Sequence, residues 1–187
     1  MPPDWLIGSD RSGTARARLI DLAGALIAER GIDRFDINDL ATRAHCSRAT
    51  IYRHTGGKKH IVETVFIHTS TRITTTVTDA VAGLSGIDRA RTAIAEALTQ
   101  IRNDRIARQF LHSQHAIDGA GAATNSDALR AIAAELIGLD PTNTIVSSLA
   151  VRTFLALVLW PPTDPADEPH LIDALSTALL AAASPES

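Results

Sequence analysis

Cysteine, methionine and tyrosine occur once each in the 187 residues, and aromatics make up only 4%. The single thiol, Cys46, excludes an intrachain disulfide and fits a reducing compartment, the cytoplasm. No evident base stands with it, so it reads as a small buried hydrophobe rather than a nucleophile. The longest apolar run, Phe154 to Trp160, falls far short of a membrane span. The opening residues MPPDWLIGSDRSG lack the basic-then-apolar order of a secretory signal. A Gly-rich phosphate loop, a Gly-x-Ser-x-Gly elbow and a carboxylate pair at di-iron spacing are also missing. These absences argue against an enzyme, and no cofactor is expected.

What is present suits packed helices. Hydrophobic residues make up 45% of the chain, enough for a core, and alanine is abundant. The net charge of −3 disfavours nucleic acid when taken alone. Its distribution points the other way. Residues 1–60 carry 10 Lys+Arg against 7 Asp+Glu, and residues 61–187 carry 8 against 14. A basic N-terminal third on an acidic remainder fits a head that meets DNA on a body that DNA repels.

The informative stretch is GIDRFDINDLATRAHCSRATIYRHTGGKKHI, Gly31 to Ile61. Asp36 is placed to cap a helix, with Asp39 three residues on as in a capping box. Ile37, Leu40, Ala41 and Ala44 mark its apolar face. Ser47 caps a second helix, Arg48 to His54, which Gly56-Gly57 stops. Two short helices with a tight turn between them make a helix-turn-helix, whose second helix enters a major groove. Ile51 is the expected buried anchor. Arg48, Thr50, Tyr52, Arg53 and His54 crowd the rest of that helix, and Lys58 and Lys59 follow. An ordinary solvated face is the plainer alternative for one such helix alone. Caps, turn and basic flank together favour DNA.

At this point the sequence resembles the TetR-type (tetracycline-repressor-like) transcriptional regulators. The matching residues are Gly31, Leu40-Ala41, Ala44, Ser47, Thr50-Ile51-Tyr52 and Lys58. The motif occupies the N-terminal third; the remainder agrees in length, helical pattern and order. Three positions depart from the family pattern. His45 stands where Gly is usual in the turn, and His bears a positive φ less easily. Thr55 replaces a Phe, giving a smaller core anchor. Gly57 replaces a Ser or Asn cap, and Gly caps more weakly.

Along the chain, residues 1 to 12 read as an arm, with Arg11, Arg16 and Arg18 candidates for phosphates or a minor groove. Solubility is the plainer role for at least one of them. Thr14 is the expected cap of a helix running to Arg30, with Leu19, Leu22, Ala23, Leu26 and Ile27 inward. Ile61, Val65, Thr69, Ile73, Val77 and Val81 repeat at i+4, predicting a long helix from Lys58 to Ala82. It runs through a β-branched segment, Ile73 to Thr78, that reads locally as strand. Further helices are expected over 88–102, 104–117 and 126–137, from Asp140-Pro141 to Trp160, and from Pro169 onward. Asp118 to Asn125 and Pro161 to Pro169 read as loops. The helix ending at Trp160 is apolar on nearly every side and needs burial on most of them.

His112 and His115, in HSQH, fall three apart with Asp118 another three on, a spacing that offers two nitrogens to a metal. A polar pocket lining or a partly exposed face is the more ordinary reading, and no metal site is assigned.

The expected architecture is all-α, with about nine helices. Residues 1–57 form a three-helix DNA-binding head with its arm, and residues 58–187 a ligand-binding and dimerisation bundle. The resemblance implies a homodimer joined by its two C-terminal helices, binding a pseudo-palindromic operator as a repressor. Asn38, Ser47, Arg48, Ala49, Thr50, Tyr52, Arg53, His54 and Lys58 would contact DNA. Arg48 and Ala49 would face base edges, as Arg53 also can, and Thr50, Tyr52, His54 and Lys58 would hold phosphates. Helix order places an effector pocket near Phe66, Ile94, Leu98, Phe110, His112, His115 and Phe154. Few aromatics argue against a flat dye and suit an aliphatic or acyl effector. The competing classes are a small-molecule-binding or metal-dependent bundle with a vestigial head, and a protein that coats DNA without sequence preference.

Overall fold

Helix α1, Trp5–Arg30, carries Leu19, Ile20, Ala23, Leu26 and Ile27 on one buried face at helical spacing. It belongs to a computed structural model that describes residues 5–114 and 116–184. The helix begins well ahead of Thr14, which is therefore an interior residue rather than a cap. No proline interrupts it, and its three glycines, Gly8, Gly13 and Gly24, each cost about 1 kcal/mol relative to alanine. Gly31, at φ 88°, ends it.

Nine further α-helices follow among the described residues, and no strand. They are α2 (Ile37–Ala44), α3 (Arg48–Thr55), α4 (Lys58–Ala80), α5 (Gly86–Asn103), α6 (Arg105–Leu111), α7 (Ala116–Thr124), α8 (Asp127–Ile137), α9 (Thr144–Leu159) and α10 (Glu168–Ala183). A 3₁₀ turn at Pro165–Asp167 precedes α10.

The chain divides into two compact units. One holds the described residues up to Thr71 together with Arg105–Ser113. Its core joins the buried face of α1 to Phe35, Ile37, Leu40, Ile51, Ile61 and Val65. Ile61 and Val65 lie on α4, so this core extends past residue 57. Gly24 lets α6 approach α1, since a Cβ there would lie 3.3 Å from the Ile106 side chain.

The other unit holds Arg72–Asp104 and the described residues from Gln114 onward. Arg102 on α5 grips the Glu168 carboxylate of α10 through contacts of 2.6 and 2.8 Å, and Arg91 pairs with Asp173. Arg89 serves three carbonyls. It donates to Val81 and Leu84, just past the end of α4, at 3.2 and 3.4 Å, and to Glu135 in the last turn of α8 at 2.9 Å. The Val81 and Glu135 carbonyls also accept the Leu84 and Gly138 N–H groups, at 3.1 and 3.3 Å, so Arg89 adds a second donor to each.

The β-branched run of α4 is helical, as its apolar period predicts. Thr76 and Thr78 return their hydroxyls to the carbonyls of Arg72 and Thr74. Several boundaries differ from expectation. The helix expected over 104–117 ends at Leu111, and α7 starts at Ala116. Asp118 to Asn125 is not a loop: α7 covers most of it, because four alanines offset Gly119 and Gly121. Among the described residues the α-helices therefore number ten, one more than the expected nine or so. Asp140-Pro141 does not open α9. Asp140 accepts the Thr142 N–H at 2.8 Å in a local turn, and Asn143 caps the helix. Likewise Asp164 caps a 3₁₀ turn inside the segment expected to be loop.

Candidate nucleic-acid interface

The turn between α2 and α3 is built from caps. The Asp36 carboxylate accepts the Asn38 N–H at 2.5 Å and opens α2. Asp39 does not complete a capping box; its carboxylate takes an ion pair with Arg30 at 2.5 Å. A guanidinium brought up by α1 competes successfully for the charge. His45 ends α2 at φ 51° and ψ 45°, and it alone among described non-glycine residues has a positive φ. The Cys46 N–H then reaches back to Ala41 O at 3.1 Å. Ser47 accepts the Thr50 N–H at 3.1 Å and opens α3.

Helix geometry at 100° per residue sorts α3 into faces. Ile51 and Thr55 are buried. Opposite them Ala49 and Arg53 form an exposed crest. Arg48 and Tyr52 make one shoulder, and Thr50 and His54 the other. Thr55 fills the place of a larger anchor without leaving its hydroxyl unsatisfied, since it donates to Ile51 O at 2.8 Å. Gly57, at φ 102°, does more than cap weakly. A Cβ there would stand 2.8 Å from Tyr52 Cε1, so its bare backbone is what seats the Tyr52 ring. Lys58 Nζ lies 6.0 Å from the centroid of the buried Phe35 ring and is otherwise exposed.

Ion pairs hold this frame. Arg43 donates twice to Glu29, at 2.7 and 2.8 Å, tying α2 to α1. The hydrogen bond from Arg43 holds the Glu29 carboxyl below its ordinary range. Arg16 donates to His60 Nε2 at 2.9 Å. Arg48, Arg53 and Lys58 take part in none of the ion pairs seen among the described residues. Their charge is left for an outside anion. Asn38, Ser47, Arg48, Ala49, Tyr52, Arg53 and Lys58 are exposed, with Thr50 and His54 half-buried.

The expected pocket residues are divided. Phe66 and Phe110 pair in the first unit, with ring centroids 4.9 Å apart. Ile94, Leu98 and the half-buried Phe154 belong to the second. His112 is exposed, and His115 lies outside the described residues. No group of three metal-ligating side chains occurs among the described residues. The Asp39–Arg30 pair, the Arg16–His60 contact and the fit of Tyr52 on Gly57 were not readable from local sequence. Each joins segments whose approach depends on the fold.

Residues 19–65 match the family model described as "Bacterial regulatory proteins, tetR family". The chain is 29% identical over 192 residues to an uncharacterised HTH-type transcriptional regulator of Mycobacterium tuberculosis, found in strains CDC 1551 / Oshkosh and H37Rv. That alignment covers 97% of this chain and 92% of the relative. Two solved structures share the fold at 18% identity. The TetR family repressor AlkX from a Dietzia strain, implicated in biodegradation of n-alkanes, superposes with a TM-score of 0.58 over 88% of this chain and 94% of its own. The R. erythropolis transcriptional repressor QsdR, also of the TetR family, gives 0.57 over 94% and 98%.

Proposed function

Because the chain belongs to the TetR family, and is therefore a DNA-binding transcriptional regulator, we propose that it represses transcription as a homodimer on a pseudo-palindromic operator. Each α3 lies in a major groove, with half-sites roughly 34–36 Å apart. The observation that carries this reading is the crest and shoulder of α3. Ala49, Arg53 and Arg48 are exposed there, and both guanidinium groups stand outside the described ion pairs. Arginine reads guanine edges bidentately, and alanine suits a thymine methyl.

Residues 1–57, with Lys58 at the start of the next domain, carry the DNA contacts, and 58–187 carry the effector and dimer surfaces. Support for the dimer comes from α9 and α10, where Ile145 is 81% exposed, Leu149 43%, Trp160 66% and Leu171 43%. Apolar side chains that open on consecutive helices favour a second copy. The effector is a small aliphatic or acyl compound among Ile94, Leu98 and Phe154, and it acts by favouring a state in which the two heads are wrongly spaced. The role needs no catalysis and places the protein in the cytoplasm. Among the described residues, no helix is long and apolar enough to cross a membrane.

The test is selection of duplexes by the full-length protein from a randomised pool, followed by binding over a salt series. Arg48→Ala is expected to cost about 1–3 kcal/mol on the selected duplex and to relax one base preference. Lys58→Ala is expected to weaken selected and random duplexes alike, and to lower the salt slope by about 1. Equal losses on both duplexes for Arg48→Ala would remove it from base reading. Failure to enrich any sequence would reduce the protein to a non-specific coat or a bundle.

A further inference from the structure

A helix lying in a major groove has a phosphate backbone on each side of it. On α3 the side carrying Tyr52, continued by Lys58, faces one of them. The opposite shoulder, Thr50 and His54, opens into a hollow of about 410 Å³ walled by Thr14, Arg18 and Leu19 of α1, with Cys46 beside them. We propose that this hollow seats the sugar-phosphate backbone of the second strand, with Arg18 as its charged contact. The inference rests on the DNA-binding reading above and extends the interface from the helix-turn-helix to α1.

The chemistry of the lining fits that occupant. Ala15, Ala44 and Cys46 offer an apolar surface to deoxyribose carbons. Arg18, Thr50 and His54 supply polar groups around it. The Thr50 hydroxyl shares one hydrogen bond with Ser47 at 3.0 Å and keeps capacity for another. Among the neighbouring arginines, Arg16 is held by His60, Arg30 by Asp39 and Arg43 by Glu29. Arg18 is exposed and joins none of the described ion pairs. Backbone contacts of this kind fix register and contribute to affinity without reading sequence.

Two measurements test the seat on full-length protein and a duplex it has selected. First, Arg18→Gln should weaken selected and random duplexes alike. It should also make the slope of log affinity against log salt shallower by about 0.9 for each head engaged. Arg18→Lys should keep the slope. Second, the chain has one cysteine, so alkylation by a maleimide reports on Cys46 alone. Saturating duplex should slow that reaction several-fold in the unsubstituted protein. This second readout stands even if the Arg18 variants lose stability. An unchanged slope in Arg18→Gln, or undiminished alkylation under saturating duplex, overturns the seat while leaving α3 as the reading helix. If the unsubstituted protein selects no duplex, DNA binding itself fails and the seat fails with it.

Discussion

The ring of Tyr52 occupies the space that a side chain on Gly57 would need, with Cε1 only 2.8 Å from where a Cβ would stand. A tyrosine on the exposed shoulder of α3 is thus positioned by the absence of an atom five residues later. Gly57→Ala adds that atom at a φ of 102°, which an L-residue adopts poorly. The variant should lose about 1–3 kcal/mol of stability and bind DNA less tightly. A urea titration reads the first effect and a duplex titration the second. A variant as stable as its parent would show that the ring moves aside at no cost.

His45 gives the opposite expectation. It holds φ 51° with a side chain present. The left-handed region costs an L-residue about 1–2 kcal/mol, and glycine returns part of that gain through its freer unfolded chain. His45→Gly should therefore raise the urea midpoint by an amount equivalent to roughly 0.5–1 kcal/mol. A lower midpoint would mean that the imidazole makes a contribution larger than the backbone strain.

Acid should loosen the frame of the head. Hydrogen bonding to Arg43 lowers the Glu29 pKa in the folded protein. The pair's contribution is then complete above the ordinary glutamate range and disappears as pH falls through the lowered folded value. Glu29→Gln should flatten this part of the acid dependence of the urea midpoint. Because both partners lie at the surface, the change will be small and should shrink further in high salt. An acid limb identical in parent and variant would assign the loss to other carboxylates.

Leu149 sits one helical turn after Ile145 on the open side of α9. Leu149→Asp puts a charge where the dimer reading puts a partner's apolar surface. Sedimentation should show monomers with unchanged helical circular dichroism, and cooperative binding to paired half-sites should disappear. Dimers that survive this substitution would move the interface elsewhere.

How far the sequence led depends on how local the determinants are. Asp36 and Ser47 act on backbone two or three residues away, and both caps stand as their spacing implies. The i+4 apolar period carried α4 through its threonine run, despite the strand preference of those residues. Failures came where a distant segment supplies the partner or where competing local signals were weighed wrongly. Asp39 belongs to Arg30 because α1 passes close by, and only packing makes that so. Gly119 and Gly121 suggested a loop, but the alanines around them hold α7 together. In the candidate interface, α3 was readable from residue type. Its two shoulders were not, because one is completed by Gly57 and the other by α1.

Arg89 reaches Val81, Leu84 and Glu135 with one guanidinium, and its side chain packs within about 3.0 Å of where a Gly138 Cβ would lie. The termini of α4 and α8 thus share a single donor and are not free to fray separately. A lysine, with its compact ammonium, cannot span three carbonyls as a planar fork does. Lesions at Arg89 and Gly138 should consequently act as one lesion rather than add. In the second unit, local melting at one helix end is felt at once at the other.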